Sequence, residues 1–199
     1  MQIIPVKSII QPFLDNRDIM YAAKHAEESK FKFRGFVELE HFRWGECIHQ
    51  ECGYNTFTTE GMAYMLNVMF KDTARPSAIY MGIYKNNITP ANANTAAVHL
   101  GAAGTYGECQ DADYTPATSR PAYTAATTTT ASITNSASKA EFTVAQAISP
   151  GIYGAFLTTT AAKTDVAGKL ICAKKFAAVR AVLTADVLAI SYTISCTST

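Results

Sequence analysis

Four potential metal ligands lie close together in the first third of the chain. They are His41, Cys47, His49 and Cys52. Two thiolates and two imidazoles make a legitimate tetrahedral zinc set, but structural zinc sites normally use more closely spaced cysteine pairs. Here His41 would also have to reach across a hairpin turn. The spacing therefore favours an amphipathic hairpin with ordinary polar residues, and we predict no metal.

Two pairs of carboxylates have the spacing of acid–base or calcium chemistry. Glu38 and Glu40 share one face of a strand, but no second acidic strand accompanies them. Asp111 and Asp113 are spaced as in a calcium-binding loop, yet the glycine and the terminal glutamate of the EF-hand pattern are missing. We interpret both pairs as solvated surface.

The sequence contains none of the common catalytic motifs. GxSxG, GxxxxGK[ST], HExxH and a GxGxxG after a strand are missing, and the four histidines are scattered. No nucleophile and base can be paired from the residues alone. We expect a protein that is not an enzyme and has no cofactor. The alternative, a hydrolase, requires acidic or Cys/His side chains to converge in a cleft.

Composition and charge exclude several classes of protein. Of the 199 residues, 48% are hydrophobic and 17% charged, and the formal net charge is +1. These values fit a folded domain, and a near-neutral chain has no field that draws it to nucleic acid or to an anionic membrane. The five cysteines form no CxxC pair and indicate reduced thiols, unless a disulfide forms after release from the cell. The N-terminus lacks a signal-peptide pattern, so we expect synthesis in a cytoplasm.

Composition changes near residue 75. The first 75 residues hold 19 of the 33 charged residues, whereas the remainder is rich in Ala and Thr. We predict three parts: an extended N-terminal arm over residues 1–30, a β-hairpin plus helix over 31–75, and a β-sandwich domain over 76–199. The alternative is that the hairpin and helix complete the sandwich.

The N-terminal arm is apolar and is broken by Pro5 and Pro12. A segment this apolar must lie on its own domain or on a partner. We predict that it contacts a partner, because buried apolar anchors dominate interface energy. The predicted anchors are Ile3, Ile4, Val6, Ile9, Ile10, Phe13 and Leu14.

Residues 31–75 show two regular patterns. Residues 31–42 alternate in polarity, with Val37 and Leu39 on the inner side, and a turn at 43–46 predicts a β-hairpin. Thr58 or Thr59 then caps a short helix of about three turns. Its methionine-rich apolar stripe is expected to pack in the core, and the alternative is a docking groove for many partners. The stripe consists of Met62, Met65, Leu66, Met69 and Phe70.

The remainder of the chain reads as short strands. After a buried strand at 78–85 and a long loop at 86–118, turn signals about every 8–12 residues delimit six strands, of which the fourth and fifth span residues 168–178 and 179–185. The fold class is therefore mainly β: an antiparallel β-sandwich, Ig-like or jelly-roll-like. Gly151 and Gly154 predict a bulge or a close backbone approach within one strand. Long loops are usually functional. In and after this loop we predict that Tyr106, Tyr114 and Arg120 contact a partner.

Several segments, taken in order, resemble a family of tailed-bacteriophage virion structural proteins. The resemblance runs from about Phe33 to Ser195. Its segments are FRGFVELEHF, AIYMGIYKNNITP, YGECQDADYTPATSRPAY, GIYGAFL and a closing YTIS strand. This sequence has Leu183-Thr184-Ala185-Asp186 in place of the Gly-Asp turn of the closing pattern. The resemblance implies a role in particle architecture.

The residues and the resemblance lead to one expected function and one alternative. We expect a capsid decoration (cement) protein that binds the lattice of the major capsid protein, stabilises the head and forms a homo-oligomer, with a trimer favoured. The alternative is a neck or tail component: a collar, connector-attached or fibre-anchoring protein. The expected location is the virion, and neither nucleic acid nor a membrane is an expected partner.

Overall fold

The structure, a computed structural model, describes residues 31–198. These residues form ten strands and two helices. In chain order they are β1 (Phe31–Arg43), β2 (Glu46–Tyr54), β3 (Thr56–Phe57), α1 (Thr59–Phe70), β4 (Tyr80–Tyr84), α2 (Ala96–His99), β5 (Tyr114–Thr115), β6 (Ser132–Thr134), β7 (Ala140–Val144), β8 (Ile148–Thr158), β9 (Leu170–Val182) and β10 (Val187–Ser198). Residues Phe33–Cys196 form one compact unit. The predicted N-terminal arm lies outside the described residues.

The strands form two antiparallel sheets. Sheet A has the order β2-β1-β10-β7-β5, with β6 also paired to β10, and sheet B has the order β3-β9-β8-β4. The core contains Leu39, Phe142 and Ile190 from sheet A and Ile83 and Leu157 from sheet B. The predicted antiparallel β-sandwich is therefore confirmed.

The hairpin of β1 and β2 is part of this sandwich. Its turn, Trp44-Gly45, has positive φ at both positions, 52° and 83°, as in the two-residue turns whose twist suits a hairpin. Strand β1 lies beside β10 in sheet A, and β3, which follows β2 directly, pairs with β9 in sheet B. The hairpin, β3 and the strands beyond residue 75 therefore belong to the same two sheets.

Helix α1 begins where the sequence predicts but is only partly covered. Thr58 is the N-cap, and its hydroxyl accepts a hydrogen bond from Gly61 N at 2.9 Å. Met62 and Met65 pack against the core. Exposure rises along the last turns, to 51% at Leu66, 67% at Met69 and 77% at Phe70. The prediction that the whole stripe is core is wrong, because the first turn is held against β9 and the last turn is left open to solvent.

Strands β8 and β9 depart from regular pairing where the glycines occur. The residues predicted as two strands, 168–178 and 179–185, are covered by the single strand β9, whose register with β8 shifts around Gly151 and Gly154. A Cβ at Gly151 would lie 2.3 Å from Arg180 O, and one at Gly154 would lie 2.2 Å from Lys174 O. The predicted bulge and close approach are both present.

The long connection between β4 and β6 closes one side of the sandwich. Cys109 N donates to Ile83 O and Met81 N donates to Pro121 O, so the connection covers the outer edge of β4 in sheet B. Its strand β5 pairs with β7 in sheet A. The segment predicted as a loop therefore joins the edges of both sheets. Among residues 31–198, no helix is long and apolar enough to cross a membrane.

The close contact of α1 with β9 predicts the effect of Gly61→Ala. Alanine is the better helix former, but its Cβ would lie 2.4 Å from Ile171 O. We expect this overpacking to lower the free energy of unfolding by about 1–3 kcal/mol in chemical denaturation. Asn67→Ala, an exposed site in the same helix, should raise it by about 0.5 kcal/mol. Equal effects of the two substitutions would contradict the proposed close packing.

Candidate functional site

The structure places the ten predicted partner-binding residues in two groups. Seven lie outside the described residues: Ile3, Ile4, Val6, Ile9, Ile10, Phe13 and Leu14. The other three, Tyr106, Tyr114 and Arg120, lie in the connection between β4 and β6 and have only 0–1% exposure. The prediction that these three side chains face a partner does not fit their burial. They hold the connection in place instead.

A buried ion pair fixes the path of this connection. Arg120 Nε donates to Glu108 Oε1 at 2.6 Å, and Arg120 Nη2 donates to Glu108 Oε2 at 2.9 Å. Gly101 N donates to the same carboxylate, and Arg120 Nη1 donates to Thr160 O at 2.8 Å. Both charges are fully buried and hydrogen-bonded. The pair and its backbone partners therefore join residues 101–108, Arg120 and Thr160.

The two tyrosines are packed against other rings and a cation. Tyr106 stacks on Tyr84 with ring centroids 4.7 Å apart, and its hydroxyl donates to Asn94 Oδ1. Burial raises the pKa of Tyr84 and of Tyr106, so both phenols stay protonated. Lys163 Nζ lies 3.5 Å from the centre of the Tyr114 ring, a cation–π contact. Burial also lowers the pKa of Lys163.

The four potential zinc ligands do not come together. Among the described residues, no group of three or more His, Cys, Asp or Glu side chains is placed to hold a metal ion. His41 is buried and faces Asp186, whereas Cys47 and Cys52 are exposed. His49 Nε2 lies 3.3 Å from Glu51 Oε2. The predicted hairpin is present, but His41 is a buried partner of Asp186 and not an ordinary polar residue of its outer face.

Asp186 connects the hairpin to the turn between β9 and β10. Its carboxylate accepts from His41 Nε2 at 2.9 Å, from Arg43 Nε and Nη2 at 2.9 and 2.7 Å, and from Leu183 N at 2.8 Å. The hydrogen bond from Arg43 holds the pKa of Asp186 far below its usual range. In this turn Ala185 takes the positive φ, 69°, that a glycine would adopt easily.

The buried thiols are not arranged as nucleophiles. Burial raises the pKa of Cys172 to about 12 and also raises the pKa of Cys109. Both side chains are therefore thiols near neutral pH, whereas thiol catalysis requires the thiolate.

Two apolar features of the structure are open to solvent. Trp44, at the hairpin turn, is 92% exposed. An open groove of about 600 Å³ lies between α1 and residues 122–125, with Phe33, Met65, Ile79 and Tyr123 among its lining side chains. The sequence signal for Trp44 was its place at a turn that favours Asn-Gly. The sequence signal for the groove was the methionine-rich stripe of α1, for which a docking groove was the alternative to core packing.

Comparison with protein-family models, with curated proteins and with solved structures found no match for this chain. Its surfaces and packed polar groups are therefore what a proposed function must explain.

The Glu108–Arg120 pair predicts a large effect of removing one charge. Arg120→Met leaves the Glu108 carboxylate buried and unpaired, so we expect a loss of about 3–5 kcal/mol in the free energy of unfolding. The double variant Glu108→Leu/Arg120→Met should lose less than the sum of the two single variants. A double-mutant cycle by chemical denaturation measures this coupling. Additive losses would show that the two charges do not interact.

The low pKa of Asp186 predicts a pH dependence of stability. A carboxylate whose pKa is lowered on folding stabilises the protein above its unfolded pKa of about 3.9, and this contribution is lost as pH falls through the folded pKa. Asp186→Asn should therefore destabilise the protein at pH 7 but much less at pH 2. Thermal unfolding across this range tests it, with Glu141→Gln, an exposed carboxylate on β7, as the control. A deficit of Asp186→Asn that stays constant with pH would contradict the assignment.

Proposed function

We propose that this chain is a structural protein of the bacteriophage virion, a capsid decoration protein that binds the lattice of the major capsid protein and stabilises the head. It is made in the host cytoplasm and resides in the assembled particle. Its role is binding, not catalysis.

The segments that carry the family resemblance supply much of the packed interior. YGECQDADYTPATSRPAY contributes Tyr106, Glu108, Tyr114 and Arg120, which are all buried, and GIYGAFL forms the middle of β8. Side chains of this kind maintain a fold rather than meet a partner. The resemblance therefore supports a common sandwich body, and attachment must involve other parts of the chain.

The observation that carries the proposal is the set of large apolar side chains left in water on this body. Trp44 is exposed on the hairpin, and Leu66, Met69 and Phe70 are exposed together on α1. Contiguous exposed apolar patches mark protein–protein contact sites more often than they occur by chance on soluble monomers. The two sheets and the connection between β4 and β6 make the body rigid, so its backbone can present such surfaces to a partner without rearranging.

Within residues 31–198, several polar groups with catalytic potential are already engaged. His41 and Asp186 are bound to each other, and Asp186 is also bound to Arg43. The thiols of Cys109 and Cys172 are buried within the fold. This supports a binding role.

The N-terminal arm supplies the main attachment to the capsid lattice. Its seven apolar residues are spread over residues 3–14, a length suited to lying across neighbouring subunits. A lattice repeats each contact many times, so a modest interface is strengthened by avidity when the protein is a homotrimer. The formal net charge of +1 supports protein subunits, not nucleic acid or membrane, as partners.

Substitutions within the full-length chain test this attachment. Ile9→Asp/Ile10→Asp removes two adjacent apolar anchors, so we expect at least about a tenfold drop in copies per particle. The matched control Ser8→Asp/Gln11→Asp adds the same charge nearby and keeps the anchors. Quantitative mass spectrometry of purified particles gives the ratio to the major capsid protein. Equal incorporation of the two double variants would contradict the proposed role of the arm.

A further inference from the structure

The hairpin tip presents a large side chain at a conformationally unfavourable position. Trp44 is 92% exposed and has φ of 52°, a left-handed backbone that bulky residues rarely adopt. The two-residue turn it occupies favours Asn or Asp followed by Gly. Strained residues cluster at sites of recognition. A Trp kept in water at this position therefore indicates a contact role.

The base of the hairpin tip is rigid. Arg43, which precedes Trp44, is held by two hydrogen bonds to the carboxylate of Asp186, and His41 donates to the same carboxylate. Asp186 is in turn bound to the backbone of Leu183. Trp44 is thus presented on a fixed platform, which reduces the entropy lost on binding.

The apolar groove lies at the other end of the sandwich. Phe33, at the start of β1, lines the groove, and Arg43, ten residues later, adjoins the tip. At about 3.3 Å per residue, the two features are about 33 Å apart. Strand β9 spans the same distance, from Ile171 in the groove to Val182 near the tip. Trp44 therefore cannot enter the groove of its own chain.

The tip and the groove are complementary in polarity and in charge. Half-exposed Ile48 and Leu183 accompany Trp44, and exposed Met69 lines the groove. Glu46, next to the turn, is exposed, and Arg75 is the charged residue among those lining the groove. Within residues 31–198, neither takes part in an ion pair.

We propose that Trp44 of one copy of this chain inserts into the groove of a second copy, with Glu46 of the first facing Arg75 of the second. The contact is head-to-tail, because it joins two different surfaces, and such contacts close into rings when the rotation between copies allows it. The proposal does not depend on a virion role, since it concerns copies of this chain alone.

The chain contains a single tryptophan, so its fluorescence reports this contact directly. In a dilution series of the full-length protein, Trp44 emission should shift to shorter wavelength as concentration rises, because the indole leaves water. Sedimentation velocity of the same samples should show association over the same range. A monomer with solvent-exposed emission at every concentration would overturn the proposal.

Two variants separate the two halves of the contact. Trp44→Asn removes the side chain and places a favoured residue in the turn, so the fold is kept. Met69→Glu puts a charge in the groove at a position that is already exposed. Each should weaken self-association at least about 30-fold. Val98→Asn, an exposed apolar site outside both surfaces, is the control and should associate like the wild type.

Mixing the two variants gives the most specific result. Trp44→Asn retains an intact groove, and Met69→Glu retains an intact Trp44, so a head-to-tail contact predicts that the equimolar mixture forms dimers and none larger. The emission of the mixture, which comes only from the Met69→Glu copies, should shift to shorter wavelength. Unchanged association of Trp44→Asn, as expected if the N-terminal arm alone joins the copies, would overturn the proposal. So would a mixture that stays monomeric.

Discussion

The carboxylate of Glu108 and the guanidinium of Arg120 meet in a part of the protein that water does not reach, joined by two hydrogen bonds. The connection that carries them is the longest irregular stretch of the sandwich, and it covers the edge of β4 in sheet B while β5 extends sheet A. Uncovered strand edges invite pairing with other chains. The ion pair therefore helps to hold the connection over this edge, together with the backbone hydrogen bonds to β4.

A second set of charges holds another part of the fold together. Asp186 holds the hairpin tip against the turn between β9 and β10, and β2 continues into β3 so that the chain passes from one sheet to the other. The two sheets are thus joined along their sides, and the two ends of the sandwich remain available for contact with other proteins. One end presents the exposed Trp44, and the other presents the groove beside α1. A stiff body with different surfaces at its two ends suits an assembly component.

The periodicity of the sequence predicted those strands and helices that can be recognised without knowing what they pack against. The alternation of β1 and the Thr58 cap of α1 both follow from local pattern. The burial of Tyr106, Tyr114 and Arg120 does not follow from local pattern. A segment rich in Asn, Gly and Pro indicates irregular backbone, but it does not show that Glu108 meets Arg120. The stripe of α1 identified a helix face, but not that its last turn lacks a covering element.

The copy number of this chain in the particle tests most directly whether the chain decorates a capsid lattice. Quantitative mass spectrometry of purified particles gives the ratio of this chain to the major capsid protein. A decoration protein repeats with the lattice, so we expect hundreds of copies per particle. About a dozen copies or fewer would contradict decoration and indicate a single vertex or the tail.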